Sequence, residues 1–146
     1  MAELPQLART LVARELHAQG LFTHMGCEIV EIAAGRVTLA MDFRKEVAQQ
    51  HGFFHGGSVG FLIDNATAAA AGTTLREGQS LLTAEYKVNF VAPALGERLL
   101  CQAEVVKAGS NITVVEARCF VVKDGAEKLC AIGLASMAVI AARTLA

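Results

Sequence analysis

The chain has 146 residues, of which 53% are hydrophobic and 18% are charged. This length and composition are typical of one globular domain, residues 1–146, and exclude a disordered chain. Thirteen basic and 14 acidic residues give a formal net charge of -1 with no run of Lys and Arg, so a nucleic-acid partner is not expected. The longest apolar run, residues 129–142, is too short for a membrane span, and no membrane association is expected.

The amino-terminal segment, residues 1–20, is predicted to form an amphipathic helix. It carries acidic residues and has no continuous apolar region, so it does not read as a signal peptide. Its apolar stripe consists of Leu7, Leu11, Val12 and Leu16. The four cysteines form no C-x-x-C pair and lie in apolar, strand-like segments, which indicates buried reduced thiols and a cytoplasmic protein.

The remaining pattern predicts two strands about a turn at Gly35, a central helix over residues 55–75 and four long strands after it. The first of these later strands alternates, which places Thr83 on a polar face opposite Tyr86 and Phe90. This order of elements favours an α+β fold in which an antiparallel β-sheet wraps around the central helix.

The central helix carries one carboxylate, Asp64, in the middle of small and apolar residues. A helical wheel turns one broad side towards the sheet: Val59, Leu62, Ile63, Ala66, Ala69 and Ala70. Asp64 lies on another stripe, whose other members are Gly57, Gly60, Ala68 and Ala71. A stripe of such small residues favours close approach of a second backbone or a ligand. The middle of a helix is a poor place for a capping aspartate, so we expect Asp64 to act as a general base or nucleophile. The alternative is that Asp64 only caps or pairs with other groups within the fold.

Gly56 and Gly57 lie at the predicted start of this helix, where unpaired backbone N–H groups and the helix dipole favour an oxyanion site. Eight residues of helix separate Gly56 from Asp64, which is about 12 Å at 1.5 Å per residue. One chain therefore cannot easily direct both groups at one carbonyl. Two antiparallel copies of the helix that cross near Gly60 would bring Asp64 of one copy to Gly56 of the other. We therefore expect an obligate homodimer with two shared sites.

Two other kinds of site are compatible with the residues of this segment. The sequence GGSVG at 56–60 matches the G-x-S-x-G nucleophile elbow, but that motif requires a preceding strand and a parallel sheet. His51, His55 and Asp64 are a candidate metal set without a third histidine nearby. We expect neither a metal nor a cofactor, and we expect His55 to hold the turn beside the oxyanion site.

The segment QQHGFFHGGSVGFLID, residues 49–64, resembles the N-x-x-G-x-x-H-G-G-x-x-x-x-L-x-D motif of hotdog-fold acyl-CoA thioesterases of the phenylacetate-degradation type. The downstream segment TAEYKVNFVAPALGERL, residues 83–99, is similar to a strand of the same family. The resemblance covers the chain from about residue 20. It implies a hotdog fold, hydrolysis of acyl-CoA thioesters, and homodimers that often pair into tetramers.

By position, the resemblance assigns Asp64 as the catalytic carboxylate, Gly56 as the oxyanion donor and His55 as the motif histidine. Gln49 stands where this type has Asn and a related branch of aryl-CoA thioesterases has Gln. Thr83 stands where relatives have a small hydroxyl side chain near the site. The expected substrate-binding residues are Gly57, Asn65 and Thr83.

These patterns predict a cytoplasmic acyl-CoA thioesterase. One alternative is a non-catalytic acyl-CoA-binding hotdog module, and another is a hotdog enoyl-CoA hydratase or dehydratase that would use His55 and Asp64. The basic residues considered for the coenzyme A phosphates are Lys107, Arg118 and Lys123. The aromatic residues considered for an acyl pocket are Phe53, Phe54 and Phe61.

Overall fold

The computed structural model of the chain describes residues 3–145. Three α-helices and six strands follow one another: α1 Gln6–His17, α2 Gly20–His24, β1 Cys27–Ala33, β2 Arg36–Asp42, α3 Gly56–Gly72, β3 Gln79–Phe90, β4 Arg98–Ala108, β5 Ile112–Lys123 and β6 Ala126–Ala141. Short 3-10 helices are formed by Lys45–Val47 and Ala142–Leu145. Within residues 3–145, no helix is both long enough and apolar enough to cross a membrane.

The six strands form one antiparallel sheet in the order β1-β2-β4-β5-β6-β3, and its inner face packs around α3. The turn between β1 and β2 is made at Gly35, whose φ of 70° is accessible to glycine without strain. The six residues predicted to face the sheet are all buried: Val59, Leu62, Ile63, Ala66, Ala69 and Ala70. The α+β class and the hotdog architecture, a sheet wrapped around a central helix, are therefore confirmed.

The amino-terminal helix is shorter than the sequence predicts. It ends at His17, and a separate helix, α2, follows from Gly20, while residues 1–2 of the predicted segment lie outside the described residues. Val12 and Leu16 are buried, but the other two members of the predicted stripe are not, because Leu7 is 70% and Leu11 is 39% exposed. Only the half of the stripe nearer α2 contributes to the core of this chain.

The central helix also differs from its predicted bounds of 55–75. His55 is its N-cap and not its first residue, and the helix ends at Gly72. The hydroxyl groups of Thr73 and Thr74 donate to the carbonyl oxygens of Ala70 and Ala71, both at 2.7 Å. These side chains satisfy carbonyl groups at the helix end and so stop the helix three residues early.

The predicted alternation along β3 is wrong at one point. Thr83 pairs with Met137 and Glu85 pairs with Ser136, so Ala84 is an extra residue that forms a β-bulge. The bulge moves Thr83 to the inner face, the face on which Tyr86 lies over α3, and Leu82 turns outwards with 50% of its surface exposed. A bulge of this kind moves the side chains on one side of it to the opposite face of the sheet. The alternation of polar and apolar residues in the sequence does not reveal the bulge.

Part of the small-residue stripe on α3 is covered by the chain itself. Gly60 is buried, and a Cβ built on it would lie 3.6 Å from the hydroxyl oxygen of Tyr86. Ala71 is buried as well, whereas Gly57 is exposed and Asp64 is half-buried. The glycine that was expected to meet a second helix therefore already accommodates an aromatic side chain from β3.

Candidate active site

The loop before α3 is fixed by hydrogen bonds to Val47. The backbone N–H of His55 and the hydroxyl group of Ser58 both donate to the Val47 carbonyl oxygen, each at 2.9 Å. The His55 side chain caps the helix, since its Nδ1 accepts the backbone N–H of Gly57 at 2.8 Å. A neutral His55 ring therefore carries its hydrogen on Nε2, which remains available as a donor.

The first turn of α3 leaves one backbone donor without an acceptor. Gly56 is the first helical residue, and no atom in residues 3–145 accepts its N–H. The sequence predicts two free donors, but the N–H of Gly57 is bound to His55. The N-terminal end of the helix dipole adds partial positive charge here, so the Gly56 N–H is suited to donate to a negatively charged oxygen.

Asp64 lies two turns further along α3 and faces the inner side of β3. The Thr83 hydroxyl group donates to Asp64 Oδ1 at 2.8 Å and also contacts Met137 Sδ at 3.4 Å. Asp64 Oδ2 has no hydrogen bond to a side chain within residues 3–145. The carboxylate is thus held by one oxygen, and the second oxygen is available to a proton donor such as water.

An apolar cleft of about 450 Å³ opens beside Gly56. It is lined by Gln49, Phe53, Phe54, Gly56, Val59, Phe90, Val91, Ala92, Pro93, Ala94 and Cys130. Gln49 contributes from the loop, where its Oε1 accepts the backbone N–H of His51. Two of the three aromatic residues considered for an acyl pocket line this cleft, while Phe61 packs against the core and is not part of the lining.

Asn65 does not face this cleft. It is buried, and its Nδ2 donates to the Phe61 carbonyl oxygen one turn earlier in α3, at 3.0 Å. This bond satisfies a polar side chain inside the helix. The structure therefore gives Asn65 a contact within its own helix and none with the cleft.

The three candidate partners for coenzyme A phosphates are not brought together. Lys107 pairs with Val114 near the start of β5, and Lys123 ends the same strand. Val114 and Lys123 are nine steps apart along the strand, which separates them by roughly 30 Å at about 3.3 Å per residue. Arg118 lies between them on the outer face and forms an ion pair with Glu116 at 3.8 Å.

The two alternative sites do not fit the geometry. Ser58 is 4% exposed, donates its hydroxyl hydrogen to Val47 and belongs to an antiparallel sheet protein, so the nucleophile-elbow interpretation is wrong. For metal binding, no group of three or more His, Cys, Asp or Glu side chains suits an ion anywhere in residues 3–145. His55 Nδ1 is moreover occupied by the N–H of Gly57.

Several residues that line the cleft are not predicted as site residues, among them Phe90 and Cys130. Phe90 was placed by alternation on one face of β3, and Cys130 was interpreted only as a buried thiol. The sequence signal for Phe90 is a large aromatic residue at the end of a predicted strand, three residues before Pro93. Nothing in the sequence marks Cys130, because its position depends on sheet register.

The chain was compared with known proteins. Residues 51–128 match the model of the Thioesterase superfamily. A thioesterase family protein from Silicibacter pomeroyi is 36% identical, with a TM-score of 0.90 over 92% of this chain and 98% of that one. The PaaI protein of the E. coli phenylacetic acid degradation operon, at 20% identity, has a TM-score of 0.82 over 94% of this chain and 96% of that one.

Among curated proteins, the 1,4-dihydroxy-2-naphthoyl-CoA hydrolase of Listeria monocytogenes is 26% identical over 82% of this chain and 95% of its own length. An antiparallel sheet wrapped around a long central helix defines the class of hotdog-fold proteins. The chain belongs to the Thioesterase superfamily, because the family model matches more than half of it.

Proposed function

We propose that this protein is a cytoplasmic acyl-CoA thioesterase, which releases a free acid and coenzyme A. The observation that supports this most directly is the pair of groups on α3: an acceptor-free Gly56 N–H at its start and an Asp64 carboxylate held by Thr83. The similarity to a hydrolase whose name specifies a CoA thioester favours the same substrate class.

In the proposed reaction, the thioester carbonyl oxygen accepts the Gly56 N–H, and the His55 Nε2–H and the Gln49 amide support it. Asp64 then acts by one of two routes. As a general base it takes a proton from water, which attacks the carbonyl carbon, and the same proton passes to the departing coenzyme A sulfur. As a nucleophile it attacks the carbonyl carbon to give a mixed anhydride, which water hydrolyses after the thiolate leaves. Both routes need the unbonded carboxylate oxygen and an oxyanion donor, and neither route requires a metal or cofactor.

We further propose that the site is shared by two subunits of a homodimer and that dimers pair into tetramers. Gly56 and Asp64 lie eight residues apart in one helix, so a single α3 does not direct both at one carbon atom. β3 also favours a dimer, because it is a 12-residue edge strand that no other strand among residues 3–145 pairs with on one side. Its Leu82, Tyr86 and Phe90 are 50%, 43% and 59% exposed, which is the kind of edge that pairs with another chain.

The cytoplasmic assignment is supported by the cysteines. All four, Cys27, Cys101, Cys119 and Cys130, are free and buried. Free thiols persist in a reducing compartment, whereas an oxidising one favours disulfides.

The test of the proposal is the Asp64→Asn variant, assayed by free-thiol release from a panel of acyl-CoAs. Asparagine keeps the shape and can still accept from Thr83, but it cannot act as a base, so kcat should fall by about 10²- to 10⁴-fold. Binding of acyl-CoA, measured by calorimetry, should be retained. Thiol release at the wild-type rate would refute the role of Asp64.

The same panel separates the two alternative functions. A non-catalytic binding module would bind acyl-CoA without releasing thiol in the wild-type protein. A hydratase would add water to an enoyl-CoA, seen as loss of the conjugated absorbance. We expect neither result, since His55 Nδ1 is engaged by the Gly57 N–H and is not free to act as a base, and the similarity to a CoA hydrolase favours thioester hydrolysis.

A further inference from the structure

A second β-bulge lies beside the candidate site, in β6. Cys119 pairs with Ala131 and Phe120 pairs with Leu129, so Cys130 has no partner in the β5–β6 ladder. Its carbonyl oxygen instead accepts the backbone N–H groups of Val91 and Ala92, at 2.9 and 3.3 Å. The bulge ties the end of β3 to β6 and makes two successive residues, Cys130 and Ala131, face inwards.

The turned-in side chain of Cys130 forms the floor of the cleft. The residue is 1% exposed and yet lines the cleft that begins at Gly56. Its thiol lies 3.2 Å from the Cys119 carbonyl oxygen. Contact with Cys119 and burial raise the pKa of the Cys130 thiol, so it remains neutral and offers an apolar surface instead of a nucleophile.

Phe90 forms the wall of the cleft at the end where the oxyanion donor lies. A Cβ built on Gly56 would be 3.3 Å from the Cζ of the Phe90 ring, so the ring packs directly on the glycine backbone. The ring nevertheless remains 59% exposed. An apolar group placed against it would remove that surface from water and would start within contact of the Gly56 N–H.

We propose that this cleft binds the acyl group, with Phe90 as its wall and Cys130 as its inner limit, so that the enzyme selects apolar acyl groups short enough to end at Cys130. This inference rests on the proposed thioester hydrolysis. The cleft volume of about 450 Å³ lies within the range of small-molecule binding pockets. The lining is dominated by aromatic and aliphatic side chains, so a charged or strongly polar acyl group would lose its hydration without finding partners there.

The residue at position 130 should set the preferred acyl length. Cys130→Ala deepens the cleft, and the ratio of kcat/KM for octanoyl-CoA to that for butanoyl-CoA should rise about tenfold; Cys130→Met shortens the cleft and should lower the ratio by a similar factor. Met is flexible enough to be accommodated without rebuilding the core. The matched control is Cys101→Ala, which removes a buried thiol outside the lining and should leave the ratio unchanged.

The wall is tested with Phe90→Ala. Its kcat/KM should fall by about 10- to 100-fold for octanoyl-CoA and phenylacetyl-CoA and less for acetyl-CoA, whose single methyl group covers the least of the ring. Unchanged length ratios in both Cys130 variants, or an equal loss for every substrate in Phe90→Ala, would overturn the proposal.

Failure of the hydrolase proposal would be recognised separately, because the wild-type protein would then release no thiol from any acyl-CoA. The same variants are in that case titrated with the same acyl-CoAs by calorimetry. A shift of the preferred length by Cys130→Ala and Cys130→Met still supports the cleft assignment, and identical binding profiles overturn it.

Discussion

At the residue scale, the candidate site depends on the hydrogen bond between Thr83 and Asp64. The hydroxyl group holds Oδ1 at 2.8 Å and so fixes the rotation of a carboxylate that stands in the middle of a helix. If the carboxylate rotated freely, it would be aligned with an attacking water for less of the time, and correct orientation of reacting groups lowers the reaction barrier substantially. In the proposed mechanism, Thr83 therefore acts on the reaction through Asp64, as a positioning residue.

Thr83→Val removes this hydroxyl group and keeps the shape of the side chain. We expect kcat to fall about tenfold, which corresponds to the loss of one hydrogen bond to a charged group, while KM changes little. Thr83→Ser should restore most of the activity, because it returns the donor. Steady-state kinetics measure both effects; a loss in the Ser variant as large as in the Val variant would point to packing against Met137 as the role of Thr83.

At the scale of elements, the sequence predicts the sheet and the helix but not the bulges. Hydrophobic periodicity identifies the sheet-facing side of α3, because the residues buried against the sheet recur in the sequence with the period of an α-helix. Ala84 and Cys130 are extra residues in their ladders, and neither residue type signals a bulge. These two positions turn Thr83 towards Asp64 and Cys130 into the cleft. Asp64 and Gly56 can be proposed as site residues from the sequence, whereas the residues that contact them depend on register between distant strands.

A close contact between α3 and β6 gives a test at the same scale. A Cβ on Gly133 would lie 2.6 Å from Cγ2 of Ile63, so Gly133→Ala should force the helix and the strand apart. The free energy of unfolding should fall by about 1–3 kcal/mol, as measured by urea denaturation.

The matched control is Gly20→Ala, since a Cβ at Gly20 would meet nothing within 4 Å. It should change stability by less than about 1 kcal/mol. Adding Ile63→Ala to Gly133→Ala should cost less than the sum of the two single variants, because the clashing methyl group is then gone. Wild-type stability of Gly133→Ala would contradict the packing of α3 described above.

At the scale of the whole molecule, the chain carries both groups of the proposed site, Gly56 and Asp64, but places them eight residues apart in α3. The sequence argument for a dimer used the spacing of Gly56 and Asp64 and the small stripe around Gly60. The spacing holds in the structure, since both residues lie in α3, but Gly60 is covered by Tyr86 of the same chain. The proposal of a shared site therefore rests on the spacing and on the exposed β3 edge, and a second α3 need not touch Gly60.

A shared site can be tested with subunits that each lack one half of it. Asp64→Ala removes the carboxylate. Gly56→Pro removes the oxyanion N–H at the first helical position, where proline is well tolerated, and His55 before it has φ -62° and ψ 141°, which suit a residue preceding proline. Gly56→Ala is the control, because it adds a Cβ near Phe90 but retains the N–H.

The most direct measurement is the thiol-release activity of purified mixed dimers that contain one Asp64→Ala subunit and one Gly56→Pro subunit, obtained by co-expression with two different tags. Each homodimer should be inactive. In the mixed dimer, the intact Asp64 of one subunit meets the intact Gly56 of the other at one of two sites, so we expect about half of the wild-type activity. A mixed dimer as inactive as both homodimers would show that each site takes both groups from one chain and would contradict the account.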